Sequence, residues 1–491
     1  MILDLLTLNL FSTLPYPTTF SEFKGHIAEW LLIFTCFGYP LQAMVILYSG
    51  YDSTPVNIMF RAVYLFVSLC LVFFGIFSII KQGRNTFRLN MPLIAFLIFW
   101  FVYGFRLVYD LEWKAWKLLE YHKYYVYAWA FGSSLIPALA ILLNGRFMVA
   151  RRLTKRIFCF FLTSVLALVG YLVFCSGLAF NELLTSRYQI VLSGNLMDVE
   201  QLPVELKRVS GFLINGITLS FYGSLTGVMV TAWFLFYQRR ISIWYTFVLV
   251  AAFFAAIFLL LVGASRGPLL MFLFLTSAII MVSVGYFFFR LTRFILSSVC
   301  KLCGKELFRC DVGFSFTPVL YKWMMLLTGI LMIFTVYRYN RDKIRIDTDQ
   351  FAIKQRFMKM VEYNNDYSST IRIDMWKSAL HQFRTNPVFG DSFINNVGQH
   401  YSHNIVMDVL MSVGVVGSIP FIIYLLAPFV YFIRLPSERK RSVSVLFVIF
   451  LAFLMLYMTS GGLFTAAEFW ILSAAIIGIS QKYLLDEGRT N

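Results

Sequence analysis

The chain has 491 residues, of which 59% are hydrophobic, 18% aromatic and only 14% charged, whereas soluble domains carry roughly 25% charged residues. That balance excludes an ordinary soluble enzyme or binding module and predicts a polytopic membrane protein whose first partner is the lipid bilayer. The formal charge of +17 reads as the Lys/Arg bias of cytoplasmic loops rather than as a nucleic-acid surface, so no nucleic acid partner is expected.

The opening MILDLLTLNLF carries an aspartate and no Lys or Arg, so no signal peptide is expected there. About 20 mostly apolar residues span the hydrocarbon core, and twelve such stretches follow, near 30–48, 62–80, 91–109, 124–143, 157–179, 211–236, 243–263, 268–289, 320–337, 411–433, 443–460 and 465–482. They lack the period-two alternation of barrel strands, and lipid leaves no partner for an unpaired backbone amide, so each reads as a helix. The predicted fold class is all-α: about 12 transmembrane helices and one large external loop carrying short helices. Residues 1–337 hold the first nine spans, 338–410 the loop, and 411–491 the last three spans with a cytoplasmic tail.

With both termini inside, the cytoplasmic segments hold 22 Lys and Arg and the short external loops hold 8. Loop 338–410 is long enough to be exempt from the charge rule, and this topology places it outside. None of the seven cysteines (Cys36, Cys70, Cys159, Cys175, Cys300, Cys303, Cys310) lies in that loop, so no disulfide framework is implied. CKLCGKELFRC resembles half of a zinc site, but no fourth ligand lies near it, and reduced cytoplasmic thiols are the simpler reading.

Loop 338–410 is expected to be folded. IRIDMWKSALHQF sets Ile373, Trp376, Leu380 and Phe383 at helical spacing, an apolar stripe to bury over the outer ends of the spans. TNPVFG then ends that helix.

Four basic residues at the predicted outer edge could carry chemistry. Arg266, in GASRGPLL, stands in an external turn of four residues, none shorter; it reads either as a snorkelling side chain or, with Gly267 and Pro268 opening a helix, as part of an anion site. Arg372 precedes the Trp376 turn and reads as a surface charge or an anion ligand. Arg208, in LKRVSGFLING, reads as an interface anchor or a substrate contact. His403, in YSHNIVMDVL, reads as a helix-capping histidine or as a general base, and Asn404 could cap the helix or orient the ring. No cluster of external Asp, Glu and His at metal-ligand spacing, no phosphate-binding glycine loop and no Gly-x-Ser-x-Gly elbow is present in the sequence, so neither metal nor cofactor is expected. An external reaction without nucleotide needs a substrate already activated, and an anionic leaving group held by arginines would suit.

RIDMWKSALHQFRTNPVFG, followed by SHNIVMDVLMSVGVVGSIPF, resembles the signature of the bacterial O-antigen ligase and polymerase family: an Arg before a Trp, an Asn-Pro-x-x-Gly turn, His-Asn and a Gly-x-x-Gly helix. SRG after the seventh span resembles a second element of that family, and RVSGFLING a third more loosely. Two departures stand out: GDS replaces a second glycine after Asn-Pro-Val-Phe-Gly, and Asn215-Gly216 follows RVSGFLI where a Pro-Asn pair is usual. The resemblance implies a metal-independent inverting glycosyltransferase in the bacterial cytoplasmic (inner) membrane, acting on its periplasmic or external face. The donor would be an oligosaccharide on undecaprenyl pyrophosphate. The acceptor would be another glycan for a polymerase or the lipid A-core for a ligase, with other polysaccharide assembly proteins as partners. His403, Arg266 and Arg372 would be catalytic, and Arg208, Asn404 and Trp376 would contact substrate. Polymerase is the preferred reading, ligase the alternative, and a polytopic transporter a more distant one.

Overall fold

The computed structural model describes residues 19–42, 45, 53–82, 91–114, 123–174, 188–190, 196–198, 216–237, 243–263, 265–302, 367–397 and 401–487. Arg208, the stretch 320–337, Cys303 and Cys310 lie outside these residues, as does the first part of loop 338–410. The helices are α1 (Phe20–Phe37), α2 (Ser53–Gln82), α3 (Met91–Trp113), α4 (Lys123–Phe147), α5 (Ala150–Phe174), α6 (Gly216–Ala232), α7 (Ile243–Gly263) and α8 (Arg266–Leu302). They continue as α9 (Tyr367–Thr385), α10 (Ile405–Arg434), α11 (Ser437–Thr459) and α12 (Ala467–Glu487). A single short hairpin, β1 (Tyr188–Ile190) against β2 (Leu196–Asp198), is the only strand pairing among the described residues. The protein is therefore helical, as its composition demands, and nine of its described helices are long and apolar enough to cross a membrane. Those nine coincide with nine of the stretches read from the sequence. Of the other three, 30–48 begins inside α1, 465–482 falls on α12, and 320–337 is outside the described residues.

The centre of the bundle is α12. Trp470, Ile471, Leu472, Ala474, Ala475, Ile476, Ile477 and Ile479 on it are all fully buried, which takes neighbours on every side. Its Trp470 ring packs against Phe99 and Trp100 of α3 and Phe421 and Tyr424 of α10, with centroids 5.2–6.0 Å apart. The outer helices turn phenylalanines outward instead: Phe66, Phe73 and Phe77 on α2 and Phe101 and Phe105 on α3 are all exposed, as lipid-facing residues would be.

The two ends of the bundle differ in charge. At one end, where α4 passes into α5, the buried Glu29 carboxylate is gripped by Arg152 (2.8 Å) and Arg156 (2.7 Å) and accepts the amide of Val149. Arg146 and Arg151 lie in the same connection, and Arg439, Lys440 and Arg441 open α11 beside it, where Thr154 bonds the Ser442 carbonyl at 3.5 Å. At the other end, where α3, α10, α11 and α12 meet residues 386–397, 401–404 and 460–466, lie the Asn-Pro-Val-Phe-Gly turn, His403 and Arg266.

Candidate functional site

Two motifs that the sequence presents separately form one backbone joint. Gly414 has φ 56° and ψ −154° inside α10, a conformation open essentially to glycine alone. This break frees backbone groups that a continuous helix would pair internally, and the Asn-Pro-Val-Phe-Gly turn collects them. Val415 and Val416 donate to the carbonyls of Pro387 (2.8 Å) and Val388 (3.1 Å), while the Met411 carbonyl accepts from Asp391 (2.8 Å) and Ser392 (3.3 Å). Gly390, with φ 71°, lies so close that a Cβ on it would stand 2.4 Å from the Ser412 carbonyl carbon. An interrupted helix near a membrane must have its backbone satisfied by protein, and here a turn does so.

The turn is held from the other side by α3. Arg106 donates to the carbonyls of Phe389 (2.9 Å), Gly390 (2.9 Å) and Asp391 (3.0 Å), and Lys114 donates to that of Asp391 (2.8 Å). The fully buried Asp110 carboxylate accepts the Phe393 amide at 2.9 Å and balances both cations at 3.7 and 3.8 Å. Asp391 accepts from Gln382 (3.3 Å) and Asn386 (3.4 Å). These interactions fix the path of the chain from α9 to α10.

His403 is the only non-glycine residue with positive φ among the described residues, at 59°. A left-handed side chain costs roughly 1–2 kcal/mol, and such residues persist where their surroundings over-determine them. Those surroundings are explicit. Ser402 donates to Asp408 Oδ1 through both its amide (2.7 Å) and its hydroxyl (2.6 Å), and Asp408 Oδ2 accepts the amide of Leu463 at 3.0 Å. On the other flank Asn404 caps α10, its side-chain oxygen accepting from Val406 (3.0 Å) and Met407 (3.2 Å) while its Nδ2 donates to the Met458 carbonyl (3.1 Å). The cap is thus Asn404 and not the imidazole. The half-buried His403 ring instead meets the Tyr401 ring edge-on, with centroids 4.7 Å apart.

Arg266 begins α8 and is half-buried. Two buried serines of α6 fix its turn: Ser220 Oγ accepts the Ser265 amide at 3.1 Å, and Ser224 Oγ donates to the Pro268 carbonyl at 2.5 Å. A Cβ placed on Gly267 would lie 3.7 Å from Thr459 Oγ1, one residue from the Met458 carbonyl that Asn404 bonds. The start of α8 and the start of α10 therefore meet at the end of α11, and Arg266 and His403 share one end of the bundle. Arg372 and Trp376 lie one turn apart on α9, both half-buried, and α9 packs against α10. The Trp376 indole N–H is buried and meets no hydrogen-bond acceptor among the described residues. The buried face of α9 is Met375, Ala379 and Gln382, while Ile373 is 36% exposed, so the helix expected from the sequence exists but is rotated relative to its predicted stripe.

Sequence reasoning missed Arg106, Asp110 and Asp408. Arg106 and Asp110 sit at the end of an apolar span, and ionisable residues there carry their own signal of an inward-facing role. Asp408 in the first turn of a helix was legible as a favourable dipole partner, though not as the anchor of a loop fifty-five residues away. No group of three or more His, Cys, Asp or Glu residues that could hold a metal occurs among the described residues. The chain matches no family model, and no curated protein matches it significantly.

Proposed function

We propose that the protein is an inverting glycosyltransferase of the cell-surface polysaccharide pathway, acting on the outer face of the bacterial cytoplasmic membrane. Its donor is a glycan on undecaprenyl pyrophosphate and its acceptor the hydroxyl of a second lipid-linked glycan, making it a polymerase. The observation that carries the reading is His403: a half-buried imidazole held in a left-handed backbone by Ser402–Asp408 on one side and the Asn404 cap on the other, at the end of the bundle where Arg266 also lies. A titratable ring fixed in that way suits a general base. The sidedness rests on charge, since the opposite end gathers Arg146, Arg151, Arg152, Arg156 and Arg439–Arg441, as a cytoplasmic end would.

In this reading an imidazole nitrogen of His403 takes the proton of the acceptor hydroxyl as its oxygen attacks the anomeric carbon. The bond from that carbon to the pyrophosphate oxygen breaks, and its electron pair leaves on the diphosphate. One displacement inverts the anomeric centre. Arg266 and Arg372 hold the diphosphate as its charge grows, the role that preorganised cations fill best, with Trp376 beside Arg372 against the lipid-linked sugar. Arg208 is assigned to the same substrate path from the sequence resemblance alone.

The test is glycan transfer by purified protein in nanodiscs. His403→Asn is expected to lose about 10²–10⁴ in turnover, as for removal of a general base, while still binding the donor; near-native turnover would overturn the reading. In cells, loss of the polymerase leaves a single repeat unit on the lipid A-core. A bare core with lipid-linked polymer accumulating would reassign the protein as a ligase, and substrate uptake by vesicles without change in lipid-linked glycan would make it a transporter.

A further inference from the structure

The hydrogen bonds of Ser402, Asn404 and Asp408 fix the backbone on either side of His403. A base must also aim its ring, and an imidazole turns about two further bonds. The ring that meets it is Tyr401, with centroids 4.7 Å apart and planes at 71°. Tyr401 is half-buried, and its own place is imposed by the turn between α11 and α12.

That turn, Ser-Gly-Gly-Leu-Phe-Thr-Ala over 460–466, is closely tied. Gly461 has φ 101°, a conformation that favours glycine. Gly462 donates its amide to Thr465 Oγ1 at 3.0 Å, and its carbonyl accepts the Thr465 amide at 3.1 Å. Leu463 donates to Asp408 at 3.0 Å. Because Gly462 has no side chain, the tyrosine can lie on its backbone: a Cβ there would stand 2.5 Å from Tyr401 Cγ and 2.7 Å from Cδ1. Phe464 meets a second side of the ring, with centroids 5.9 Å apart and planes at 76°. Phe464 in turn meets Phe393 edge-on at 6.1 Å, and the Phe393 amide is held by Asp110 of α3.

One aromatic ring therefore lies between a hydrogen-bonded glycine turn and an imidazole. Close-packed neighbours limit the rotamers open to a side chain, so a ring seated on Gly462 and against Phe464 constrains the histidine that it touches. We propose that Tyr401, so seated, is a positioning residue that aims the His403 imidazole at the acceptor hydroxyl. The proposal rests on the reading of His403 as the base that activates the acceptor. Tyr401 acts through the imidazole and not on the substrate, and its ring rather than its hydroxyl does so. A misplacement of about 1 Å can cost about 10²-fold in rate, so losing this contact is felt in kcat and not in donor binding.

The test uses the whole protein in nanodiscs. The chain has 5 histidines, and with 13C in their rings the signal missing from His403→Asn belongs to His403. In wild-type protein that ring should show a nuclear Overhauser contact to tyrosine ring protons; its absence would overturn the proposal, and this measurement decides the matter if no variant folds. The Tyr401 ring current should displace the same signal, and Tyr401→Leu should abolish the displacement; a signal that stays in place in the folded variant would overturn it. In transfer assays Tyr401→Leu should lose about ten- to a hundredfold in kcat with donor KM unchanged, while Tyr401→Phe, which keeps the ring, should retain most of it. A folded Tyr401→Leu with wild-type kcat would overturn the role, as would a Tyr401→Phe as poor as the leucine variant, since the hydroxyl would then act. Gly462→Ala, which pushes the ring from its other side, should also lower kcat. The ring contact is read without turnover. Near-native transfer by His403→Asn would therefore remove the proposed function and leave the contact standing, whereas wild-type kcat in Tyr401→Leu beside an inactive His403→Asn would remove the positioning role alone.

Discussion

Asp408 and Leu463 are joined by a hydrogen bond of 3.0 Å from the Leu463 amide to Asp408 Oδ2, while Asp408 Oδ1 accepts both the amide and the hydroxyl of Ser402. One buried carboxylate thereby ties the segment before α10 to the turn between α11 and α12, and His403 is the residue next to Ser402. Asp408→Asn offers one acceptor oxygen in place of two, so either Ser402 or Leu463 loses its partner. We expect about 1–3 kcal/mol less stability and, if His403 is the proposed base, a fall in kcat with donor affinity retained, because that ring moves while the proposed anion contacts stay. Unchanged kcat in the folded variant would show that Asp408 has no positioning role. Thermal unfolding and single-turnover transfer together make the measurement.

The left-handed backbone of His403 separates shape from chemistry. Glycine adopts this conformation freely and alanine does not, so His403→Gly should be more stable than His403→Ala by about 1 kcal/mol. Both should be equally poor in transfer. Equal stability of the two variants, by thermal unfolding in detergent, would show that the conformation is not imposed on residue 403.

Arg106 holds three successive carbonyls with one planar fork, geometry that a lysine cannot reproduce. Arg106→Lys should therefore accelerate amide exchange at Asp391, Ser392, Val415 and Val416, whose hydrogen bonds form the joint. Amides of α6 and α7 should exchange as before. Uniform acceleration across the bundle, or none, would contradict the clamp.

A Cβ on Gly414 would stand 2.5 Å from the Val388 carbonyl oxygen and 2.6 Å from the Gly390 amide nitrogen. Gly414→Ala thus combines a forbidden backbone conformation with overlap against backbone that cannot move aside, and should cost more than about 2 kcal/mol. Gly285→Ala, which meets nothing within 4 Å, is the control and should be neutral or stabilising as a helical substitution. Comparable yield and melting of the two would refute the joint.

Asn404→Asp should preserve the α10 cap, since a carboxylate at a helix N-terminus is equally effective, but lose the bond to the Met458 carbonyl. Asn404→Ala should lose both, with about 1–2 kcal/mol from the cap alone. Melting temperatures ordered wild type, Asp, Ala are expected; an alanine variant as stable as wild type would exclude the cap.

The spans were legible in the sequence because the constraint that makes them is local: lipid demands an unbroken run of apolar residues whose backbone pairs within itself, and nine of the stretches so identified coincide with described helices long and apolar enough to cross a membrane. Asn404 as a cap and the Asn-Pro-x-x-Gly stop after α9 were legible for the same reason, since each works within a few residues. The phase of α9 was not. Ile373, Trp376 and Leu380 fit helical spacing as well as Met375, Ala379 and Gln382 do, and which face is buried depends on the surface of α10 that the helix meets. Arg106 reads as a charge near the end of an apolar span until its partners, 283–285 residues away, are brought to it. Arg61 likewise reads as a loop residue until Trp129 and Ser133 of α4 meet its guanidinium. Composition and periodicity determined that this chain crosses a membrane, and roughly where. Only the tertiary structure decided that its glycine break and its proline turn are one joint, because the hydrogen bonds that join them link backbone groups whose partners no side-chain pattern encodes.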